Sequence, residues 1–344
     1  MPITIRDVAR VAGVHVSTVS RTFSAPQLVS RATRDRVLAV SEELGYRPNR
    51  AARGLITGRT HNLGVIVADL ANPFFPPLIK EAQVAARERD HHVFIADTDE
   101  DPVAEEDLVR ALAKQVDGVL LCSPRMTNTR IERLRQEVPI VVVNRQARGL
   151  PCVLMDVAEG AKLAVRHLCQ LGHTRLVLLA GPSGSWTNRQ IRRAATAAAR
   201  AAGASIEELG PHTPTAASGE KAALPVLETG ATGVLAYNDL MAIGLLEGLA
   251  RHGVPVPSGL SVVGVDDIAA SAIAHPKLTT VSMPAREAGR SAVDLLLHQV
   301  HLLRQAGADR AATQVVLRTR LVVRESTAPP PAAGWRPEYP GDAP

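Results

Sequence analysis

The segment VSTVSRTF, residues 16–23, holds the most suggestive grouping of polar side chains in this sequence. Drawn as a helix at 100° per residue, Val16, Ser20, Ser17 and Arg21 fall within about 140° of one another, while Val19 and Thr22 lie on the opposite side. One side is then small and polar and ends in a guanidinium; the other can pack. A guanidinium pairs bidentately with the O6/N7 edge of guanine, and hydroxyls reach base edges or phosphates, so such a face suits the major groove of a DNA duplex. On an isolated helix the same residues would be ordinary solvated surface, and it is their setting that favours nucleic acid. Residues 1–60 contain ten arginines, no lysine and four acids (Asp7, Asp35, Glu42, Glu43), a net +6. The whole chain carries +5, so the remaining 284 residues sum to −1 and the basic character belongs to the first segment alone.

The elements that would hold this face are legible around it. Thr4 followed by Asp7 is a shortened capping signal ahead of Val8, Val11 and Ala12, and Gly13 then permits a tight turn into the helix from Val16. Ser30 opens a third helix that runs through Val37, Leu38, Val40 and Leu44 and stops at Gly45. Asn49–Gly58 is short, rich in Arg and Ala, and interrupted by Gly54, so it reads as a linker that becomes helical only when a partner orders it.

From Leu63 the pattern changes. Seven short β-rich runs (63–69, 92–97, 116–122, 138–144, 175–181, 232–238 and 260–267) alternate with helix-period stretches at 76–90, 103–114, 158–171, 189–202, 217–229 and 239–252. Apolar strands alternating with helices predict parallel sheets covered on both faces. Seven strands exceed one small sheet, so two α/β lobes with a cleft between them are expected. A helix over 284–304 and strands near 278–283 and 314–323 should cross back between them. The tail from Ala328 lacks apolar periodicity and is expected to be disordered.

With 46% hydrophobic and 21% charged residues the chain has a globular balance, and with only 3% aromatics its cores must be aliphatic. No apolar run approaches the roughly 18 residues that span a bilayer, and MPITIRDVAR has no apolar leader, so a cytoplasmic protein without membrane contact is expected. Cys122, Cys152 and Cys169 are odd in number and widely spaced, which suits free thiols. GxGxxG, P-loop, GxSxG and HExxH patterns are absent, and His91–His92 has no Cys or carboxylate at ligand spacing. No enzyme activity, cofactor or metal is therefore expected.

The stretch from TIRDVARVAGVHVSTVSRTF to RPNRAARGLITGRT resembles the N-terminal helix-turn-helix of the LacI family of bacterial repressors. ANPFF, QVDGVLL, LGHTRLVLLAGP, YNDLMAIG, LSVVGVDD and LTTVSMP resemble that family's periplasmic-binding-protein-like core. The likeness spans about residues 1–325. It implies an all-α helix-turn-helix domain (1–48), a hinge (49–60), and a two-lobed effector and dimerisation core (61–327). Lobe 1 would comprise about 61–157 and 286–314, lobe 2 about 158–285 and 315–327. It also implies a homodimeric repressor on a pseudo-palindromic double-stranded operator, switched by a small carbohydrate-like effector. By position, Val16 and Ser17 fall on the family's operator-selecting pair, Arg21 on its base-contacting arginine, and Thr4, Thr18 and Ser20 on phosphate contacts. Asn49, Arg50 and Ala52 belong to the matching hinge, in which Leu55 takes the place of a leucine wedged into the minor groove. Asn72, Phe74, Phe75, Asn144, Arg189, Asn238, Asp239 and Asp266 fall on or beside effector positions. Capping of the following segments is an alternative role for Asn238, Asp239, Asp266 and Asp267.

Four departures stand out. His15 replaces the usual Ser or Thr cap, which predicts a weak helix start or an imidazole turned to phosphate. Ile191 stands where an effector arginine is expected, no aromatic lies near Pro214, and Met283 replaces a polar residue. An uncommon effector, or a degenerate pocket on a constitutive DNA binder, follows from these three. The tail carries no leucine heptad, so a dimer rather than a coiled-coil tetramer is expected.

Overall fold

A computed structural model describes residues 3–46, 59–147, 149–303 and 312–332. Asn49, Arg50, Ala52 and Leu55 lie outside the described residues. The chain divides into two units, Met1–Thr60 and His61–Pro344.

The first unit contains α1 (Ile5–Ala12), α2 (Val16–Ser24) and α3 (Arg31–Glu43). The backbone N–H and hydroxyl of Thr4 both donate to Asp7, at 3.0 and 2.7 Å, tying down the start of α1. These bonds hold the Asp7 carboxyl below its ordinary range. Gly13 ends α1 at φ 62°, a conformation that costs glycine nothing and turns the chain sharply into α2. Val8, Ala9, Ala12, Val19 and Val37 form the core, with Phe23 and Tyr46 packing on it. At His15 the start of α2 is weakly held, as expected: its Nδ1 accepts the Ser17 N–H at 3.3 Å and lies 2.9 Å from the Ser17 hydroxyl. An imidazole acceptor thus caps α2, through a long bond.

The second unit builds two six-stranded sheets. The first contains β1 (Asn62–Val67), β2 (His92–Asp97), β3 (Gly118–Cys122), β4 (Ile140–Val143), β5 (Cys152–Met155) and β11 (Gln314–Leu317), in the order β11-β5-β4-β3-β1-β2 and all parallel. The second contains β6 (Arg175–Leu179), β7 (Ser205–Leu209), β8 (Gly233–Ala236), β9 (Ser261–Asp266), β10 (Thr279–Ser282) and β12 (Arg320–Val322). Its order is β12-β10-β9-β8-β6-β7, with only β12 antiparallel. Central strands such as GVLLC and IVVV are buried throughout, as strands covered on both faces must be. The covering helices are α4 (Phe75–Arg87), α5 (Pro102–Ala113), α6 (Asn128–Leu134), α7 (Val157–Gln170), α8 (Trp186–Ala201), α9 (Ala216–Lys221), α10 (Ala223–Glu228), α11 (Asp239–Arg251) and α12 (Ala285–Leu302).

Chain passes between the lobes three times: after β5, between β10 and α12, and between β11 and β12. Two crossings are tied together, since the Asp156 N–H donates to Leu317 O at 2.9 Å and the Thr319 hydroxyl to Asp156 O at 2.8 Å. Helices α9 and α11 approach almost backbone to backbone. A Cβ at Gly244 would stand 1.8 Å from Ala216 O, and one at Gly219 2.0 Å from Met241 O.

Four expectations are corrected. Residues 315–317 belong to lobe 1, because β11 pairs with β5; the last crossing falls at 318–319. β5 and β7 were not among the expected strands. The helix expected over 217–229 is two, separated at Ala222. Ala328 itself is held: its N–H donates to the Ser261 hydroxyl at 3.0 Å, and its carbonyl lies 2.9 Å from His173 Nε2, while residues 333–344 of the tail lie outside the described residues.

Candidate functional site

In α2 the division expected from periodicity holds. Val19 and Thr22 are buried, while Ser17 and Arg21 are exposed and Thr18 and Ser20 half-buried. Val16 is more enclosed than a free base reader, packing partly on the small core. Arg21 has no acid partner among the described residues, so its five donors face solvent. The Ser17 hydroxyl sits on His15, which links the residue expected to select sequence to the cap that starts the helix. Thr4 commits both donors to Asp7, so a phosphate contact through its hydroxyl would require that bond to break.

In the body, Asn72, Phe74, Phe75, Asn144, Asn238 and Asp266 converge on one cleft between the lobes, joined by Glu100, Ser123, Arg125, Thr187, Pro214, Tyr237 and Met283. This is the carboxyl-end crevice at which open α/β sheets bind ligands. Glu100, Ser123, Asn144 and Asp266 follow or end strands β2, β3, β4 and β9, with φ of 64°, 55°, 58° and 123°. Strained backbone of this kind concentrates where side chains must be aimed. Arg125 grips Glu100 through two donors, one at 2.8 Å, and gives a third to Ser123 O at 2.6 Å. Asn144 Nδ2 donates to the Ser123 hydroxyl at 3.2 Å, but its buried Oδ1 has no partner among the described residues. An unpaired buried acceptor costs about 1–3 kcal/mol, which a ligand hydroxyl would recover. Burial first, and Asp239 second, push the Asp266 carboxyl well above its ordinary range, favouring a neutral group able to donate. The cleft cavity is about 30 Å³, far below the roughly 300 Å³ of a small-molecule site, so a sugar enters only if the lobes part.

Other expected site residues have structural duties. Asn238 caps α11, accepting the Met241 N–H at 3.0 Å, and donates to Pro214 O at 3.1 Å. Asp267 pairs with Arg324 at 2.6 Å. Asp239, fully buried, accepts from Ile268 N–H, Ser271 Oγ and Thr280 Oγ1 at 3.0, 2.6 and 2.5 Å, pinning the β9 end to β10.

Burial raises the Asp239 pKa from 3.8 to about 6 despite those bonds. The folded state then holds the proton more tightly than the unfolded chain. The stability this adds is complete below pH 4 and lost as pH rises through 6, on the order of 3 kcal/mol. In urea titrations from pH 4 to 7, the stability of the wild type minus that of Asp239→Asn should fall by at least about that amount; the histidines are common to both proteins and cancel, while Asp266, whose carboxyl Asp239 itself helps to raise, adds to the fall. A difference that stays constant with pH would refute the assignment.

Arg189 is not brought to the cleft: it lines a separate cavity with Arg145 and Trp186. Ile191 is wholly buried in the core, so its identity neither opens nor blocks the cleft. The sequence around Pro214 carries no aromatic, but Tyr237, distant in the chain, lines the same cleft, its hydroxyl 3.1 Å from Ser185 Oγ. Tyr237, Ser123 and Glu100 each stand directly after or near the end of an expected strand, a positional signal that could have found them. Arg125 had none, since its partner lies 25 residues away.

A small helix-turn-helix unit and a body of two α/β lobes meeting at a polar cleft define the class: DNA-binding regulators with a periplasmic-binding-protein-like body. Residues 4–49 match the pattern of bacterial regulatory proteins of the lacI family, and residues 165–327 that of the periplasmic binding protein-like domain. The chain is 35% identical over 303 residues to the transcriptional regulator GalS of Salmonella typhimurium, covering 86% of this chain and 89% of that protein. It is 32% identical over 340 residues to the regulator DegA of Bacillus subtilis, covering 96% and 99%. Among solved structures, the lac repressor dimer bound to operator and the anti-inducer ONPF superposes with TM-score 0.84 at 28% identity, covering 95% of this chain and all of that one. The regulator CelR in complex with cellobiose superposes with TM-score 0.70 at 30% identity, covering 94% and 99%. The chain belongs to the LacI family of bacterial transcriptional regulators. No helix among the described residues is long and apolar enough to cross a membrane.

Proposed function

We propose that this chain represses transcription as a cytoplasmic homodimer, each protomer placing α2 in one major groove of a pseudo-palindromic operator. The observation that carries this reading is the exposed Arg21, without an acid partner among the described residues, beside Ser17 on a helix whose other face is buried. Two half-sites are required, because single base contacts contribute only about 1–3 kcal/mol each. Selection from a random duplex pool at physiological salt should return a two-fold symmetric site; a pool that emerges unenriched would overturn the proposal.

The cleft is assigned a sugar-like effector. Asn144 Oδ1, the neutral-leaning Asp266 carboxyl and Arg125 provide acceptors and donors for adjacent hydroxyls, and Phe74 and Phe75 apolar surface for a sugar ring. In a thermal-shift screen of mono- and disaccharides, one class should raise the Tm, by RT ln(1 + [L]/Kd) in free energy. Asn144→Ala should weaken that ligand about tenfold or more. The narrowness of the cavity favours the rival reading, a constitutive DNA binder with a closed cleft; it gains if no sugar shifts the Tm while operator binding is intact.

A further inference from the structure

Beside the cleft, and sharing no lining residue with it, lies a cavity of about 550 Å³ bounded by Asn128, Arg145, Gln146, Trp186, Arg189 and Gln314, among others. Its two guanidiniums come from different lobes: Arg145 follows β4, and Arg189 lies in the first turns of α8. Neither forms an ion pair with a carboxylate among the described residues, whereas the buried Arg125 side chain pairs with Glu100. Arg145 is only 6% exposed. It donates to Pro124 O, Met126 O and Asn128 Oδ1, which fix its plane, while its buried Nε has no partner. Arg189 makes only long bonds, 3.4 and 3.3 Å, to the carbonyls of Ser183 and Gly184. Burial lowers the Arg145 pKa; the nearby Glu105 carboxylate is the strongest charge acting on it and works the other way, while Arg189 and then Arg125 add to the lowering.

We propose that this cavity is a second ligand site, taking the phosphate group of a small phosphorylated metabolite between Arg145 and Arg189. Two guanidiniums that line one space, neither in an ion pair among the described residues, favour an anion there, and charge-assisted bonds to phosphate are what the guanidinium fork makes best. A carboxylate, with one charge, would satisfy only one of them. Trp186 offers a flat apolar wall to the rest of the molecule. Since the arginines belong to opposite lobes, an anion between them holds the lobes at a fixed separation, whatever occupies the cleft.

The test uses the full-length chain carrying Trp335→Phe, which leaves Trp186 as the sole tryptophan of the two. Inorganic phosphate, titrated at constant ionic strength in phosphate-free buffer, should change its emission saturably, and calorimetry should give one site per chain. Arg189→Gln, at a half-exposed position, should weaken binding about ten- to a hundredfold while leaving the circular dichroism unchanged. Sodium acetate in place of phosphate should give no saturable change. Equal binding by the Arg189→Gln protein, no saturation up to tens of millimolar phosphate, or acetate matching phosphate would each overturn the proposal.

Discussion

Arg21→Ala should leave a protein that still adheres to DNA but no longer prefers one sequence over another. Two copies of the residue act in a dimer, each contributing about 1–3 kcal/mol at a guanine edge, so specific affinity should fall roughly 30- to 10⁴-fold. Non-specific binding rests on the other cations of residues 1–60 and their release of counterions, so it should persist and weaken steeply with salt. Arg21→Lys separates charge from geometry: it restores the cation without the planar fork, and should recover non-specific binding more than discrimination. Footprints at matched salt decide the matter. If Arg21→Ala protects the wild-type site with unchanged affinity, α2 does not read the bases.

In the body, Gly244→Ala should lower stability by about 3 kcal/mol, against the trend for glycine in a helix. Alanine ordinarily gains about 0.5–1 kcal/mol there through lower unfolded-state entropy. Here the new methyl would lie 1.8 Å from the Ala216 carbonyl oxygen, a backbone atom that moves only if α9 and α11 separate. Overpacking costs of 1–3 kcal/mol or more then outweigh the gain. At about 2–4 °C per kcal/mol for a body of this size, the Tm should drop by roughly 6–12 °C. Gly184→Ala, in the turn before α8, meets nothing nearer than Arg125 Cδ at 4.0 Å; as an uncrowded control it should shift little. Equal Tm values for the two variants would show that the helices yield easily.

What the sequence conveyed follows from how strongly each element depends on its own residues. IVVV and GVLLC are buried on both faces and announce themselves. SIEEL, the edge strand β7, carries two glutamates facing water and pairs only through its backbone with β6, so its pattern resembles a loop. CVLM is four residues long and becomes β5 only because β4 and β11 flank it. The reading face of α2 was legible because 3.6-residue periodicity is local. The cleft was half legible. Asn144 and Asp266 end strands that could be seen, but the Glu100–Arg125 grip joins two loops whose meeting depends on the sheet. Arg189 misled because a helix position fixes direction only once the lobes are placed, and the adjoining cavity received it.

The triple passage between lobes has a bearing on synthesis as well as on closure. A chain emerging from the ribosome has produced β1–β5 by Met155, yet α12, which covers that sheet, begins only at Ala285, and its edge strand β11 at Gln314. At about 5–20 residues per second, those intervening 130 residues take roughly 6–26 s. Throughout that interval Leu120, Val141 and Val153, which share a core with Leu296, lack the cover that α12 brings. Yield in the cell therefore hinges on what shelters a half-finished lobe, a vulnerability belonging to the order of translation rather than to the finished molecule.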